Sequence, residues 1–134
     1  MTVENKRHDL GVAALAVITG DTGAAIVEGL KDIAPDLAEW IISFSYGDVM
    51  SRPGLDLRSR QFATIGALTA MCTAAPQLKV HVNGALNVGC QPSEVIEVIL
   101  QMAVYAGFPA AINALGIARE VFKERGIALR PVAK

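Results

Sequence analysis

The chain has 134 residues, enough for one ordinary domain with a buried core and too few for two typical ones. Hydrophobic residues make up 52% and charged residues 19%, with a mean hydropathy of +0.41, which excludes a disordered or polyelectrolyte chain because so much apolar surface must be hidden from water. Twelve basic against thirteen acidic residues leave a net charge of -1, and no Lys/Arg cluster offers a footprint for a phosphate backbone, so nucleic acid is not expected as a partner.

Four Phe, two Tyr and one Trp are few for such a hydrophobic chain, so the core must be built from closely packed Ala, Val, Ile and Leu. Period-2 alternation is scarce and apolar positions recur at three and four residues, which predicts an all-α protein of about seven helices in a single domain over residues 1–134. The first helix is expected near Lys6 to Ile18, closed by Thr19-Gly20, and the second near Thr22 to Asp32. A third starts at Pro35, a good first-turn residue, and continues through Trp40 and Phe44 towards Asp48 before Arg52-Pro53-Gly54 breaks the chain. Asp56 is a plausible N-cap for a fourth helix reaching about Thr73. Ala75-Pro76 starts the fifth, which ends at Gly89. The sixth opens at Gln91-Pro92-Ser93-Glu94, with an acid near its positive end, and stops at Gly107. The seventh runs from Pro109 to Arg125, leaving Ile127 to Lys134 as a tail that docks on a neighbour or stays mobile.

The first nine residues have no apolar stretch directly behind a basic one and no credible cleavage site, so export is not expected. Two uncharged stretches, Gln61 to Leu78 and Val98 to Ala118, approach membrane-spanning length. The first carries Thr64, Thr69, Thr73 and Pro76 and the second is cut by Gly107-Phe108-Pro109, so both read as buried helices and no membrane is expected. A short chain this apolar tends to hide its surplus surface against copies of itself, which predicts a homo-oligomer. Cys72 and Cys90 lack CxxC spacing and fit a reducing cytoplasm, Cys72 as a small core residue and Cys90 in a turn after Gly89. His8 and His81 are far apart and have no carboxylates at ligand spacing, so no metal site is expected.

Three groups of residues can carry chemistry. On the fifth helix Lys79, Asn83 and Asn87 form a polar stripe, and His81 lies roughly 160° from its centre, facing inward with Gln77, Leu78, Gly84, Ala85 and Val88. An inward histidine is either a core residue satisfied by a nearby acceptor or a proton donor, since an unperturbed pKa of about 6.5 suits it to exchange protons near neutrality. On the sixth helix Glu94, Glu97, Gln101 and Tyr105 form a stripe that faces solvent or lines a cleft between subunits. Arg52, Arg58 and Arg60 gather around Pro53-Gly54-Leu55-Asp56, where they grip a dianionic substrate or brace the loop against Asp56.

Taken together, Tyr46-Gly47-Asp48, the run Arg52-Pro53-Gly54-Leu55-Asp56-Leu57-Arg58-Ser59-Arg60, His81 through Gly89, and Gln101 through Ala111 resemble the gamma-carboxymuconolactone decarboxylase family in residues, order and spacing over about residues 36–125. The resemblance implies an alkylhydroperoxidase D-like all-helical domain assembled as a homo-oligomer, commonly a hexamer of three dimers. It also implies cofactor-free decarboxylation of an acidic lactone in aromatic catabolism of the beta-ketoadipate type. The peroxidase branch of that superfamily would place its two thiols at Ala74 and Gln77 and its relay glutamate near Gln61 or Phe62, so thiol peroxidase activity is not expected. The resemblance makes His81 the candidate proton donor. It offers Arg52 and Arg60 for a carboxylate grip and Tyr46, Tyr105 and Gln61 as further substrate contacts. A non-catalytic helical oligomer that binds a metabolite is the alternative function.

Overall fold

The computed structural model describes residues 2–131, and the last three residues of the expected tail lie outside them. Its described residues are helical with no strand, and the backbone gathers into two compact units, Met1–Leu57 and Arg58–Lys134. No helix among the described residues is long and apolar enough to cross a membrane.

The first unit begins with α1 (Val3–Thr19), which starts three residues before the expected Lys6 because the Thr2 hydroxyl accepts a hydrogen bond from the Asn5 amide at 3.3 Å and caps the first turn. Gly20, at φ 58°, turns the chain into α2 (Asp21–Leu30), and Pro35 opens α3 (Pro35–Trp40) as its sequence position predicts. The helix expected to run on to Asp48 instead widens into a π-helix over Ile41–Met50. Its end is marked by the carbonyl of Tyr46, which accepts from both the Ser51 amide at 3.1 Å and the Ser51 hydroxyl at 2.7 Å. Such a run is unusual, since π geometry normally appears as single turns inside α-helices. Here the wide segment lies directly against α1. A Cβ on Gly11 would land on the carbonyl oxygen of Ile42, and one on Gly47 on the carbonyl oxygen of Arg7, so the two backbones touch where only glycine fits.

Polar ties join the same pieces. The Arg7 guanidinium grips the Asp48 carboxylate through Nε at 2.9 Å and Nη2 at 2.5 Å, linking α1 to the end of the π-helix. Glu39 accepts from the Ser43 hydroxyl and meets His8 Nδ1 at 3.0 Å. Both pairs are solvent-accessible, so they orient the helices more than they stabilise them.

The second unit carries α4 (Leu57–Met71), α5 (Ala75–Asn87), α6 (Pro92–Ala106) and α7 (Phe108–Glu124). Its core is Ile65 of α4, Leu78, Val82 and Ala85 of α5, Val95 and Ile99 of α6, and Ala111, Ala114, Ala118, Val121 and Phe122 of α7. The alanines of α7 recur at three and four residues and let α5 and α6 approach it closely, which is how a chain with few aromatics fills a core. Gln91 and Glu94 form a reciprocal capping box at the start of α6, the Glu94 carboxylate accepting from the Gln91 amide at 2.8 Å. Gly107, at φ 93°, makes the sharp α6 to α7 turn that the Gly-Phe-Pro run predicts.

The polar stripe of Lys79, Asn83 and Asn87 finds its partners around α7. Lys79 reaches Glu120 at 2.7 Å and Glu124 at 2.9 Å, and Arg125 donates to Asn83 at 3.3 Å and Asn87 at 2.9 Å, so the stripe ties α5 to α7 and its end. Cys72 is not a core residue: it is exposed, in the left-handed region at φ 60°, where the chain turns from α4 towards α5. Cys90 is the buried thiol, packed into the core with its Sγ 3.8 Å from the Arg58 carbonyl.

Candidate active site

Among the described residues, the structure joins two of the residues singled out from the sequence, His81 and Gln61. Gln61 sits on the inner face of α4, one helical turn before the core residue Ile65, and is fully buried. His81 sits in the middle of α5 beside the buried Val82 and remains partly exposed. His81 Nδ1 lies 3.0 Å from Gln61 Oε1. A side-chain carbonyl can only accept, so Nδ1 carries the hydrogen and Nε2 keeps its lone pair in the neutral ring. Burial pushes the His81 imidazole below its ordinary pKa, so the ring is neutral near pH 7 and can take up a proton only at Nε2.

Gln61 satisfies only half of its amide. Its buried Nε2 has no hydrogen-bond partner among the described residues, and an orphaned buried donor costs about 1–3 kcal/mol. The Thr69 hydroxyl, two turns further along α4, is likewise buried without a partner. Thr69→Val keeps the shape and deletes the orphan, so it is expected to leave stability unchanged or raise it by up to about 1 kcal/mol. A denaturant midpoint that fell instead would show that the hydroxyl has a partner.

The remaining sequence candidates are distributed otherwise. Tyr46 lies buried in the π-helix of the first unit, where burial raises its phenol pKa, and Arg52 is exposed just beyond that helix. Arg60 is half-buried on α4, immediately before Gln61. Arg58 serves as a brace, pairing with Glu94 through Nη2 at 2.5 and 2.7 Å and lying 5.8 Å from the centre of the Phe62 ring. Tyr105 stands 79% exposed near the end of α6, and Glu97 and Gln101 of its stripe are exposed as well.

Sequence reasoning passed over two features of the first unit. One is the set of His8, Glu39 and Ser43, of which only the Glu39/Ser43 spacing of four along a helix was a local signal. The other is a groove of about 540 Å³ lined chiefly by Val12, Leu15, Val27, Ala38 and Ile42, with His8 and Glu39 among its polar residues. No group in that groove combines burial with a hydrogen bond that fixes a ring tautomer, which sets the His81/Gln61 pair apart as a place for proton transfer.

The charged groups give the protein a two-step response to acid. Glu39 is held below the ordinary carboxylate range by Ser43 and then His8, Asp48 by Arg7, Glu94 by the Gln91 amide and Arg58, and Glu120 by Lys79. Their contribution is present above the ordinary carboxylate pKa of about 4 and is lost as pH falls through their lower folded values. His81 acts earlier. The unfolded chain binds its proton near pH 6.5 and the folded chain resists it, so stability declines as pH drops below about 6.5 and levels off once the folded ring is charged. Denaturant titrations across pH are expected to show both steps in the wild type and only the acidic one in His81→Gln.

Comparison with known proteins adds a chemical frame. The sequence model of the carboxymuconolactone decarboxylase family matches residues 35–120, which include both Gln61 and His81. A 4-carboxymuconolactone decarboxylase from Acinetobacter baylyi (strain ATCC 33305 / BD413 / ADP1) is 34% identical over 132 residues, covering 98% of each chain. An uncharacterized 15.0 kDa protein from Paracoccus denitrificans, from the nqo9-nqo10 intergenic region, is 34% identical over 99 residues, 73% of this chain and 74% of its own. The nitrosuccinic acid decarboxylase npaB of Metarhizium robertsii (strain ARSEF 23 / ATCC MYA-3075) is 34% identical over 86 residues, 64% of this chain and 59% of its own.

Proposed function

Because the chain belongs to the carboxymuconolactone decarboxylase family and is on that ground a carboxy-lyase, we propose that it removes carbon dioxide, without a cofactor, from a carboxymuconolactone-type lactone acid, with His81 supplying the proton. The observation that carries this reading is the buried Gln61 carbonyl holding Nδ1 of a partly exposed, neutral histidine. The names of the two decarboxylases point to one electronic demand. In the lactone, the electron pair of the breaking carbon–carboxylate bond can pass through an alkene to the ring carbonyl. In nitrosuccinic acid it can pass to the nitro group. Both substrates thus stabilise the carbanion by their own structure, and the protein has to bind the acid, favour the developing oxyanion and deliver a proton.

The proposed sequence balances without further reactants. A dianionic lactone beside His81 restores the proton that burial removes, because an opposite charge favours the imidazolium. The carbon–carboxylate bond then breaks, carbon dioxide leaves, and the pair moves to the carbonyl oxygen to give a dienolate. A new C–H bond forms as the Nε2–H bond of His81 breaks, and the ring returns to its neutral state to be recharged from water. Arg52 and Arg60 are proposed to hold the carboxylate that remains, and Tyr46 and Tyr105 to hydrogen-bond the substrate. The proposed setting is aromatic catabolism of the beta-ketoadipate type.

We further propose that the protein works as a homo-oligomer, a hexamer built as a trimer of dimers. Large apolar side chains stand exposed on each unit: Trp40 and Phe44 on the first, and Val104, Tyr105, Phe108 and Ile112 on the second. Light scattering is expected to give about six times the 14.1 kDa mass of one chain, and a monomer at micromolar concentration would overturn this.

Purified protein incubated with gamma-carboxymuconolactone is expected to release carbon dioxide in step with loss of the substrate's ultraviolet absorbance. Binding of the lactone with its full recovery would overturn the enzyme reading in favour of a metabolite-binding oligomer. Turnover of nitrosuccinate alone would keep the carboxy-lyase and move the substrate class.

A further inference from the structure

Gln61 is a polar residue in a place where an aliphatic side chain would pack without loss. It is completely buried, shares its helix face with Ile65, and leaves its own Nε2 unpartnered among the described residues. Among the described residues its side chain makes one hydrogen bond, Oε1 accepting from His81 Nδ1 at 3.0 Å. A group retained at such expense for a single contact is explained by what that contact does to the ring. The acceptor fixes the plane of the imidazole and requires a hydrogen on Nδ1.

We propose that Gln61 is the positioning residue of His81, dedicating Nε2 to proton transfer by holding Nδ1–H in place through the whole cycle. The imidazolium carries hydrogens on both nitrogens, and the neutral ring formed when Nε2–H gives up its proton to carbon is the Nδ1–H tautomer. The bond to Gln61 Oε1 can be made in both states, and it is the stronger of the two in the imidazolium. Transfer therefore proceeds with no ring rotation and no change of tautomer, and the geometry set by α4 and α5 is preserved from start to finish. An aliphatic residue at this position would free the ring to adopt the Nε2–H tautomer, which accepts at the wrong nitrogen. The catalytic part of this inference rests on the proposed role of His81, whereas the tautomer stands independently of any substrate.

The test is nuclear magnetic resonance of the full chain labelled with nitrogen-15 in histidine, at a pH above the titration of His81. There are only two histidines, so a His8→Gln variant assigns the signals. The wild type is expected to show Nδ1 protonated and Nε2 with a free lone pair. Gln61→Leu is expected to lose that signature and, in the decarboxylase assay, to lower kcat by about 10- to 100-fold with KM little changed, the usual effect of removing a partner that orients a histidine. Gln61→Glu, which restores an acceptor, is expected to recover the Nδ1–H signature. A wild-type spectrum with Nε2 protonated, or an unaltered signature in Gln61→Leu, would overturn the proposal. If Gln61→Leu kept full activity while His81→Gln lost it, positioning would be refuted with the His81 role intact. If both variants kept full activity, the role of His81 itself would fall and only the tautomer would survive.

Discussion

His81→Gln is expected to lower kcat by about 10²- to 10⁴-fold, the range that a positioned general acid contributes. The size follows from what the dienolate needs after carbon dioxide has left. A carbanion spread over an oxygen and several carbons is protonated productively only at one carbon. Without a donor held there, it waits for water in a site that partly excludes it. Glutamine keeps a side chain of similar reach that can still hydrogen-bond, so the fold should be preserved while proton delivery is lost. The assay follows the lactone by ultraviolet absorbance with carbon dioxide measured in parallel, and light scattering checks that the variant assembles like the wild type. A variant with wild-type turnover and wild-type mass would remove His81 from the mechanism and direct attention to Tyr105 and Arg60. Because the bound dianion raises the imidazole pKa from the value that burial lowers, the wild type is expected to keep activity to a higher pH than the free ring alone would allow, and to lose it as rising pH strips the proton from Nε2.

The second large effect is structural and has an internal control. Gly11→Ala is expected to destabilise the first unit by about 3 kcal/mol or more, toward the upper end of measured overpacking costs. The added methyl would meet the carbonyl oxygen and carbon of Ile42, and a backbone at close contact cannot swing aside as a side-chain tip can. Gly116→Ala is expected to do the opposite. Gly116 lies mid-way along α7, exposed, with open space around its missing Cβ, so the alanine should add about 1 kcal/mol of helix propensity. Thermal unfolding separates the two readily, since 3 kcal/mol corresponds to roughly 10 °C in a chain of this size. If Gly11→Ala were as stable as Gly116→Ala, the close approach of α1 to the π-helix would be wrong.

Much of the fold is legible locally. Pro35, Ala75-Pro76 and Gln91-Pro92 start helices where expected, and Gly20, Gly107 and Gly126 turn the chain with positive φ at or near helix ends. These are punctuation signals whose physics lies within a few residues of backbone. The π-helix escaped detection because the residues from Ile41 to Met50 read as ordinary helix, and the widening accompanies the approach of α1, thirty residues earlier in the chain. Cys72 escaped because its apolar neighbours suggested a core position, while the end of α4 puts it in a left-handed turn with its side chain outside. The stripe on α5 was recognised, but its partners Glu120, Glu124 and Arg125 lie some forty residues away.

The same division holds at the site. Sequence alone determined that the protein is all-helical and, through the motif around His81 and the Arg-Pro-Gly-Leu-Asp run, to which family it belongs. It also singled out His81 as a histidine on the inner side of its helix, because periodicity is a property of one helix taken by itself. Only the tertiary structure decided which acceptor that ring would meet. Gln61 and His81 are twenty residues apart on different helices, and neither periodicity nor composition orders one side chain against the other. The packing of α4 and α5 around a common aliphatic core places a buried carbonyl 3.0 Å from Nδ1, and with that distance it fixes which nitrogen of the histidine is left to carry the proton.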